Sequence, residues 1–370
     1  MPKVYWTKGR SAGIRQSLIA KISAILGIEE MARLVVPDES LALKINLSEI
    51  GYAHPLPPIV VGALFERLRS EGARPVVTDS ASLFKGSRHN GYDWISTALI
   101  QGFSAGETFD NQLMPAGGYT GEEGKFYPSD GRNLGGVELG SLLTDTGNVV
   151  VLSHVTADPL LGIAGAVRNL GCGFLTSTGK LRVHAPLKIG HDPERCDNCG
   201  LCVPFCPTGA MSERAGIVSF DAEMCNSCLG CYVSCPNGAI WIEADGIPLY
   251  QEHVVEAALT AKLNLRGSAF FINFLSSVTP QTDDYPFSDI PFVPDLGIVA
   301  SEDPVAVDWV SYQMITGSPG IPGSIAEQVN ALGKGDDKIR AITGVSPEHW
   351  LAYAEEVTLG SRQCEFLTDG

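Results

Sequence analysis

Two cysteine runs constrain this chain more than any other feature of its sequence. The first reads Cys196-Asp-Asn-Cys199-Gly-Leu-Cys202-Val-Pro-Phe-Cys206-Pro207, and the second Cys225-Asn-Ser-Cys228-Leu-Gly-Cys231-Tyr-Val-Ser-Cys235-Pro236. Both have the spacing C-x2-C-x2-C-x3-C-P, and Cys225 follows Cys196 by 29 residues. Three thiolates two residues apart wrap one face of an iron–sulfur cubane. The fourth lies too far along its own run to close that cubane and reaches the other one. This interleaving assigns Cys196, Cys199, Cys202 and Cys235 to one 4Fe–4S cluster, and Cys225, Cys228, Cys231 and Cys206 to a second. The proline after each fourth cysteine locks φ and lacks an N–H, which turns the chain away from the cluster.

The repeat outlasts the cysteines. Pro207-Thr-Gly209-Ala210 returns as Pro236-Asn-Gly238-Ala239 at the same 29-residue offset. Such a duplication is the pseudo-two-fold unit of a bacterial-type two-cluster ferredoxin. Zinc would be satisfied by two C-x2-C pairs and has no use for two interleaved quartets. Disulfides would require an exported chain.

The chain has 370 residues, enough for two or three domains with their own cores. A net charge of −16 argues against nucleic acid, whose phosphates need a basic footprint. Residues 188–246 carry Lys188, Arg195 and Arg214 against eight carboxylates. That acidic stretch suits docking to a basic patch on a redox partner, a ferredoxin or a reductase. The first ten residues show no apolar signal region, and no apolar run approaches the ~18 residues of a membrane span. A cytoplasmic location is expected, in an anaerobe or a reducing cell interior.

Periodicity predicts an α/β fold. Strands are expected at 3–7, 41–46, 74–80, 148–153, 269–275 and 296–300. Helices are expected from Ile14 through Ile25 to a stop at Gly27, then at 57–70 with Gly72 as its cap, 92–101, 159–170 and 249–263, from Asp303, and through 323–357. Residues 81–135 predict loops and short antiparallel pieces around Gly117, Gly118, Gly121 and Gly124. Strand–helix–strand alternation implies a mostly parallel sheet with helices on both faces. Buried-strand character on both sides of the cysteines makes the cluster unit an insert at 187–246, of ferredoxin-like α+β type. It interrupts an α/β domain formed by 1–186 and 247–370.

In open α/β sheets ligands bind at the carboxyl ends of strands. Those ends here carry Lys44 and Asn46 with His54 nearby, then Asp79-Ser80, then Ser153-His154 leading to Arg168-Asn169-Leu-Gly171-Cys172-Gly173, Lys180 and His184. Asp303 and Asp308 follow a later strand. Each has a plainer role open to it: His154 can satisfy a buried carbonyl, Asp303 can cap a helix, and Cys172 can be inert packing. Neither a GxGxxG fingerprint, a P-loop nor a GxSxG elbow is present. A flavin or other small cofactor stays open, because many flavin sites lack a short motif.

The chain resembles the iron–sulfur-centre family labelled domain of unknown function 362, in the version with an inserted two-cluster ferredoxin unit. The resemblance spans nearly the whole chain. It rests on Leu43-Lys44-Ile-Asn46, Glu71-Gly72-Ala73 with Asp79-Ser80, Ser153-His154, and Arg168 through Gly173. Gly179-Lys180 with His184, the cysteine runs, and Ser301 through Asp308 complete it. It implies an architecture and a set of polar positions, and no established reaction.

The expected function is an iron–sulfur oxidoreductase. Low-potential electrons would pass through two 4Fe–4S clusters to a substrate or cofactor in the α/β domain. Lys44, Arg168 and Lys180, with Asn46, Asp79 and Asn169, would bind an anionic small molecule. His154 or His184 would deliver a proton, and Cys172 would be a reactive thiol. The alternatives are an electron carrier or binding protein without catalysis of its own, and a non-redox enzyme with structural or sensing clusters.

Overall fold

The computed structural model describes residues 1–103 and 112–368. Strands in chain order are β1 (Lys3–Lys8), β2 (Ser40–Lys44), β3 (Arg74–Asp79), β4 (Leu113–Pro115), β5 (Gly124–Pro128), β6 (Gly136–Gly140), β7 (Asn148–His154) and β8 (Thr156–Asp158). They continue with β9 (Gly162–Ala164), β10 (Ile189–His191), β11 (Met211–Arg214), β12 (Ile217–Phe220), β13 (Ile240–Ile242), β14 (Ala269–Leu275), β15 (Gly297–Ser301) and β16 (Glu365–Thr368).

Eight of them form one sheet in the order β16-β1-β15-β14-β7-β2-β3-β4. From β14 through β4 all neighbours are parallel, while β15 runs antiparallel to both β14 and β1. The central strands are apolar on both faces, as a covered parallel sheet requires. Val149 and Val151 of β7 pack with the helices Ala166–Gly173, Ile247–Leu263 and Pro304–Gly317. Val150 and Leu152 face the opposite way, toward Leu18–Leu26, Pro58–Ser70 and Gly91–Ile100. The fold is thus mixed α/β, a large and mostly parallel sheet flanked by helices, as the pattern predicts.

Several boundaries differ from expectation. The first long helix begins at Leu18 with Ser17 as its cap, and Ile14 lies exposed in a short 3-10 turn. Residues 159–170 do not open as a helix. Asp158 accepts the N–H groups of Leu160 and Leu161 at 2.8 and 2.9 Å, closing a β8–β9 hairpin, and helix starts only at Ala166. The tail is three short helices, Ile325–Gln328, Lys338–Thr343 and Glu348–Glu356. Residues 104–111 of the Gly-rich stretch lie outside the described residues; within the rest, β5 and β6 pair antiparallel. The helix Ser177–His184 and the edge strand β16 escaped prediction, since neither carries a clear apolar period.

The cysteine runs lie between small two-stranded sheets. β10 pairs with β13 and β11 with β12, both antiparallel. Shifting β10 by 29 residues lands on β12, and β11 shifted likewise lands on β13, so each ladder joins one half of the repeat to the other. Backbone conformation repeats as well. Asn198, Gly200 and Gly209 have positive φ, and so do Ser227, Leu229 and Gly238 at the same offset. For Leu229 the left-handed conformation costs roughly 1–2 kcal/mol, which a loop keeps only when its surroundings demand that shape. Ile189, Met211, Val218 and Ile240 form a small core with the cysteines. These segments pack against the loop after β3 where Phe84 meets Phe205 and Gly230. A Cβ on Gly230 would lie 2.5 Å from that of Phe84, so only glycine allows the approach.

Candidate functional site

Parallel strands bring their carboxyl ends together, so residues far apart in sequence share one cavity. Lys44 ends β2, Asp79 ends β3, and Asn46 follows Lys44 into the loop. The cavity encloses about 900 Å³, part of it open to solvent. Its walls include Lys44, Asn46, Asp79, Arg168, Asn169, Cys172, Lys180 and His184.

Three of its four cations are already committed. Lys44 is fully buried, with Nζ 2.6 Å from Asp79 Oδ1 and donating to Ile45 O and Asn169 Oδ1. Burial lowers its pKa, and Asp79 works against that loss. Arg88 Nε donates to Glu49 at 2.9 Å and its Nη2 to Asp284 at 2.5 Å. Burial opposes its charge, but Glu49, Asp284 and Asp79 hold it above the ordinary arginine value. Arg168 bridges Asp284 and Asp158; its Nε approaches Asp158 to 2.9 Å, at ion-pair distance but off the hydrogen-bond line. Despite burial, Arg168 and Arg88 keep Asp284 well below the usual carboxylate range. Opposite charges therefore alternate along this wall, each buried charge meeting a partner.

Lys180 is different. Its Nζ donates to the carbonyl of Ala81, and no carboxylate stands at ion-pair distance among the described residues. Burial lowers its pKa to about 8, with Asp79 opposing.

The proposed histidines do not share a cavity. His154 lies outside the lining, buried, with Nδ1 3.4 Å from Asp283 and Nε2 3.1 and 3.2 Å from the carbonyls of Ser276 and Ser277. Every ring nitrogen is engaged, so it braces the loop after β14 instead of serving the cavity. His184 does line it, with Nδ1 2.9 Å from Ser227 O and its ring edge-on to Tyr250. Burial pushes its pKa down to about 4. Cys172 also lines the cavity, but burial raises its thiol, leaving it protonated and unactivated. Its flanking glycines serve packing: a Cβ on Gly173 would meet Lys44 Nζ at 2.2 Å, and one on Gly171 the carbonyl of Val254 at 2.4 Å.

Asn169 locks this corner by donating to Leu152 O at 3.0 Å and Ser153 Oγ at 3.1 Å. Asp308 accepts the N–H groups of Ala166 and Val167, and Asp303 those of Val305 and Ala306, so both act as helix caps. Sequence reasoning missed Arg88, Asp158 and the Asp283-Asp284 pair as part of the site. Arg88 and the Asp283-Asp284 pair sit in loops without periodicity, and Asp158 ends the three-residue strand β8; the adjacent carboxylates after β14 were the one available signal.

The cysteines form two further cavities. One, about 300 Å³, is lined by Cys196, Cys199, Cys202 and Cys235; the other, about 270 Å³, by Cys206, Cys225, Cys228 and Cys231. These are the two interleaved quartets. Cys228 and Leu229 line the second cavity and the polar cavity alike. Backbone N–H groups reach sulfur, Met211 to Cys206 and Ser227 to Cys225, each at 3.4 Å. Burial pushes the Cys202 and Cys228 thiols up to about 11, so a bound metal would have to displace their protons. Among the described residues no three His, Cys, Asp or Glu converge on a single-ion site. A cubane takes four thiolates spread around a cluster and not converging on one point, and each cavity is lined by four cysteines.

A family described as Domain of unknown function (DUF362) matches residues 41–313. The chain belongs to this family. The match runs from β2 into the helix Pro304–Gly317, so both cysteine runs and the polar cavity of this DUF362 member fall within it. No curated protein matches the chain. A crystallised protein from Thermotoga maritima is 9% identical with a TM-score of 0.40, covering 94% of this chain and 60% of its own. The chain thus spans less than two thirds of that protein. The lactate racemase apoprotein from Thermoanaerobacterium thermosaccharolyticum is 10% identical with a TM-score of 0.46, covering 100% of this chain and 83% of its own. No helix among the described residues is long and apolar enough to cross a membrane.

Proposed function

We propose that this DUF362 member is an iron–sulfur oxidoreductase acting on a small anionic molecule in the polar cavity. Residues 187–246 are then a ferredoxin-like insert holding two 4Fe–4S clusters on the quartets named above, flanked by 1–186 and 247–370. When bound, the clusters supply one-electron chemistry at low potential. The observation that carries the proposal is the shared wall: Cys228 and Leu229 border both a cysteine cavity and the polar cavity.

The chain's own residues divide the remaining work. The alternating network of Lys44, Asp79, Arg88, Asp284, Arg168 and Asp158 holds the cavity's shape and has little charge to spare. Lys180 keeps an uncommitted ammonium, so it takes the negative oxygen of the substrate. With a pKa of about 8 it is also matched to give up a proton near neutrality. His184 is neutral at that pH, so its part is to hold the second cysteine run through Ser227. Tyr232 and Tyr285 line the cavity as protonated hydroxyls, burial raising both. The acidic cysteine unit suits a ferredoxin or reductase with a basic face.

Anaerobic purification, reduction and addition of candidate carboxylate or phosphate oxidants test the proposal. Reoxidation that slows strongly in Lys180→Met supports it. Reoxidation by a partner ferredoxin alone, at equal rates in both proteins and with no small molecule active, points to a carrier and sinks it.

A further inference from the structure

The internal repeat provides its own control, because residues 29 apart occupy equivalent walls of the two cysteine cavities. Ile189 and Val218 correspond, as do Ala210 and Ala239, and Met211 and Ile240; each keeps its apolar character. The pattern breaks most sharply in chemistry at one wall. His191, at the end of β10, lines the cavity of Cys196, Cys199, Cys202 and Cys235, while its counterpart Phe220, at the end of β12, lines the other. His191 Nε2 is buried and has no hydrogen-bond partner among the described residues. A buried polar nitrogen without a partner is costly and uncommon.

We propose that His191 Nε2–H is a hydrogen-bond donor to a sulfur of the cluster held by the first quartet, and that it raises that cluster's reduction potential. The proposal rests on the two-cluster assignment. Reduction adds negative charge to a cluster, and a donor to sulfur stabilises that charge. Phe220 offers the second cluster no side-chain donor, and that quartet's sulfurs instead receive the Met211 and Ser227 N–H groups, which stabilise added charge there. Exposure acts in the same direction as His191 at one position, since Cys199 is exposed whereas its counterpart Cys228 is buried, while Cys202 and Cys231 are both buried. Asp197, whose counterpart is Asn226, pulls the other way, but it is exposed to solvent and accepts the Cys199 N–H at 3.1 Å. His191 is thus a positioning and tuning residue.

The test is an EPR-monitored potentiometric titration of anaerobically purified holoprotein at one fixed pH, with iron counted first. Two midpoints are expected. His191→Phe moves one of them to lower potential and leaves the other, His191→Gln retains a donor and restores part of the shift, and Phe220→His raises the second midpoint. Should His191→Phe shed its iron, Phe220→His decides alone, and an unmoved second midpoint there overturns the proposal. Two intact clusters whose midpoints ignore His191→Phe overturn it as well. Iron far below about eight per wild-type chain removes the cluster assignment itself, and this proposal with it.

Discussion

His184 Nδ1 lies 2.9 Å from the carbonyl oxygen of Ser227, which joins the helix Ser177–His184 to the second cysteine run across the edge of the polar cavity. Nδ1 must carry the proton in this contact, leaving Nε2 as an acceptor. The bond explains why a helix without a clear apolar period is held in place, and why Cys228, next to Ser227, reaches the cavity wall.

Removing that bond has a pH signature. The pKa of His184 falls from the ordinary 6.5 to about 4 because burial disfavours the cation. Between those values the unfolded chain binds a proton that the folded chain refuses, so stability falls as pH drops below about 6.5. At pH 5.5 the loss relative to pH 7.5 is about 1 kcal/mol. His184→Phe keeps the ring contact with Tyr250 but narrows the difference in unfolding midpoint between these two pH values. An unchanged difference would sink the assignment.

Lys44 is a structural cation. Lys44→Met leaves Asp79 buried beside Arg88, whose Nη1 is 3.8 Å away. Breaking a buried pair in this way costs roughly 3–5 kcal/mol. Denaturant unfolding of Lys44→Met, and of the double variant with Asp79→Asn, is the measurement. The double variant recovers part of the loss, and simple additivity contradicts the pairing.

Anion binding tracks Lys180. Titration calorimetry with inorganic phosphate and with acetate should show affinity steady below pH 7. Above pH 8 it should fall by about tenfold per unit as the ammonium deprotonates. Lys180→Arg removes the pH dependence, and Lys180→Met removes binding. An affinity indifferent to both substitutions rejects Lys180 as the anchor.

The quartets make separable predictions. Cys199→Ser and Cys228→Ser each cut iron from about eight to about four per chain, leaving one cluster signal. Only Cys228→Ser also disturbs ligand binding in the polar cavity, because Cys228 alone of the two lines it. Equal effects on that binding would mean that the shared wall is unimportant.

The strand ends were legible because the chain's apolar runs stop at polar residues: Lys44 and Asp79 emerge from that pattern, and Arg168 and Lys180 reach the same cavity from the helices Ala166–Gly173 and Ser177–His184. What those residues do there was not legible. Lys44, Arg168 and Lys180 look alike as cations in a line of letters. Asp79, Asp158 and Asp284 separate them, by occupying the first two and leaving Lys180. His154 and His184 likewise look equivalent, yet one braces a loop and the other borders the cavity.

The sequence by itself determined most of the large sheet's strands and the spacing that suggests how the cysteines group, because period, spacing and repeat are properties of the chain read in order. It predicted the α/β layers for the same reason. Only the tertiary structure decided which quartet borders the polar cavity, which cation is left without a carboxylate, and that the repeat is broken at a cavity wall by His191. Those depend on packing between segments distant in the chain, where the exclusion of water and the pairing of buried charges choose the neighbours.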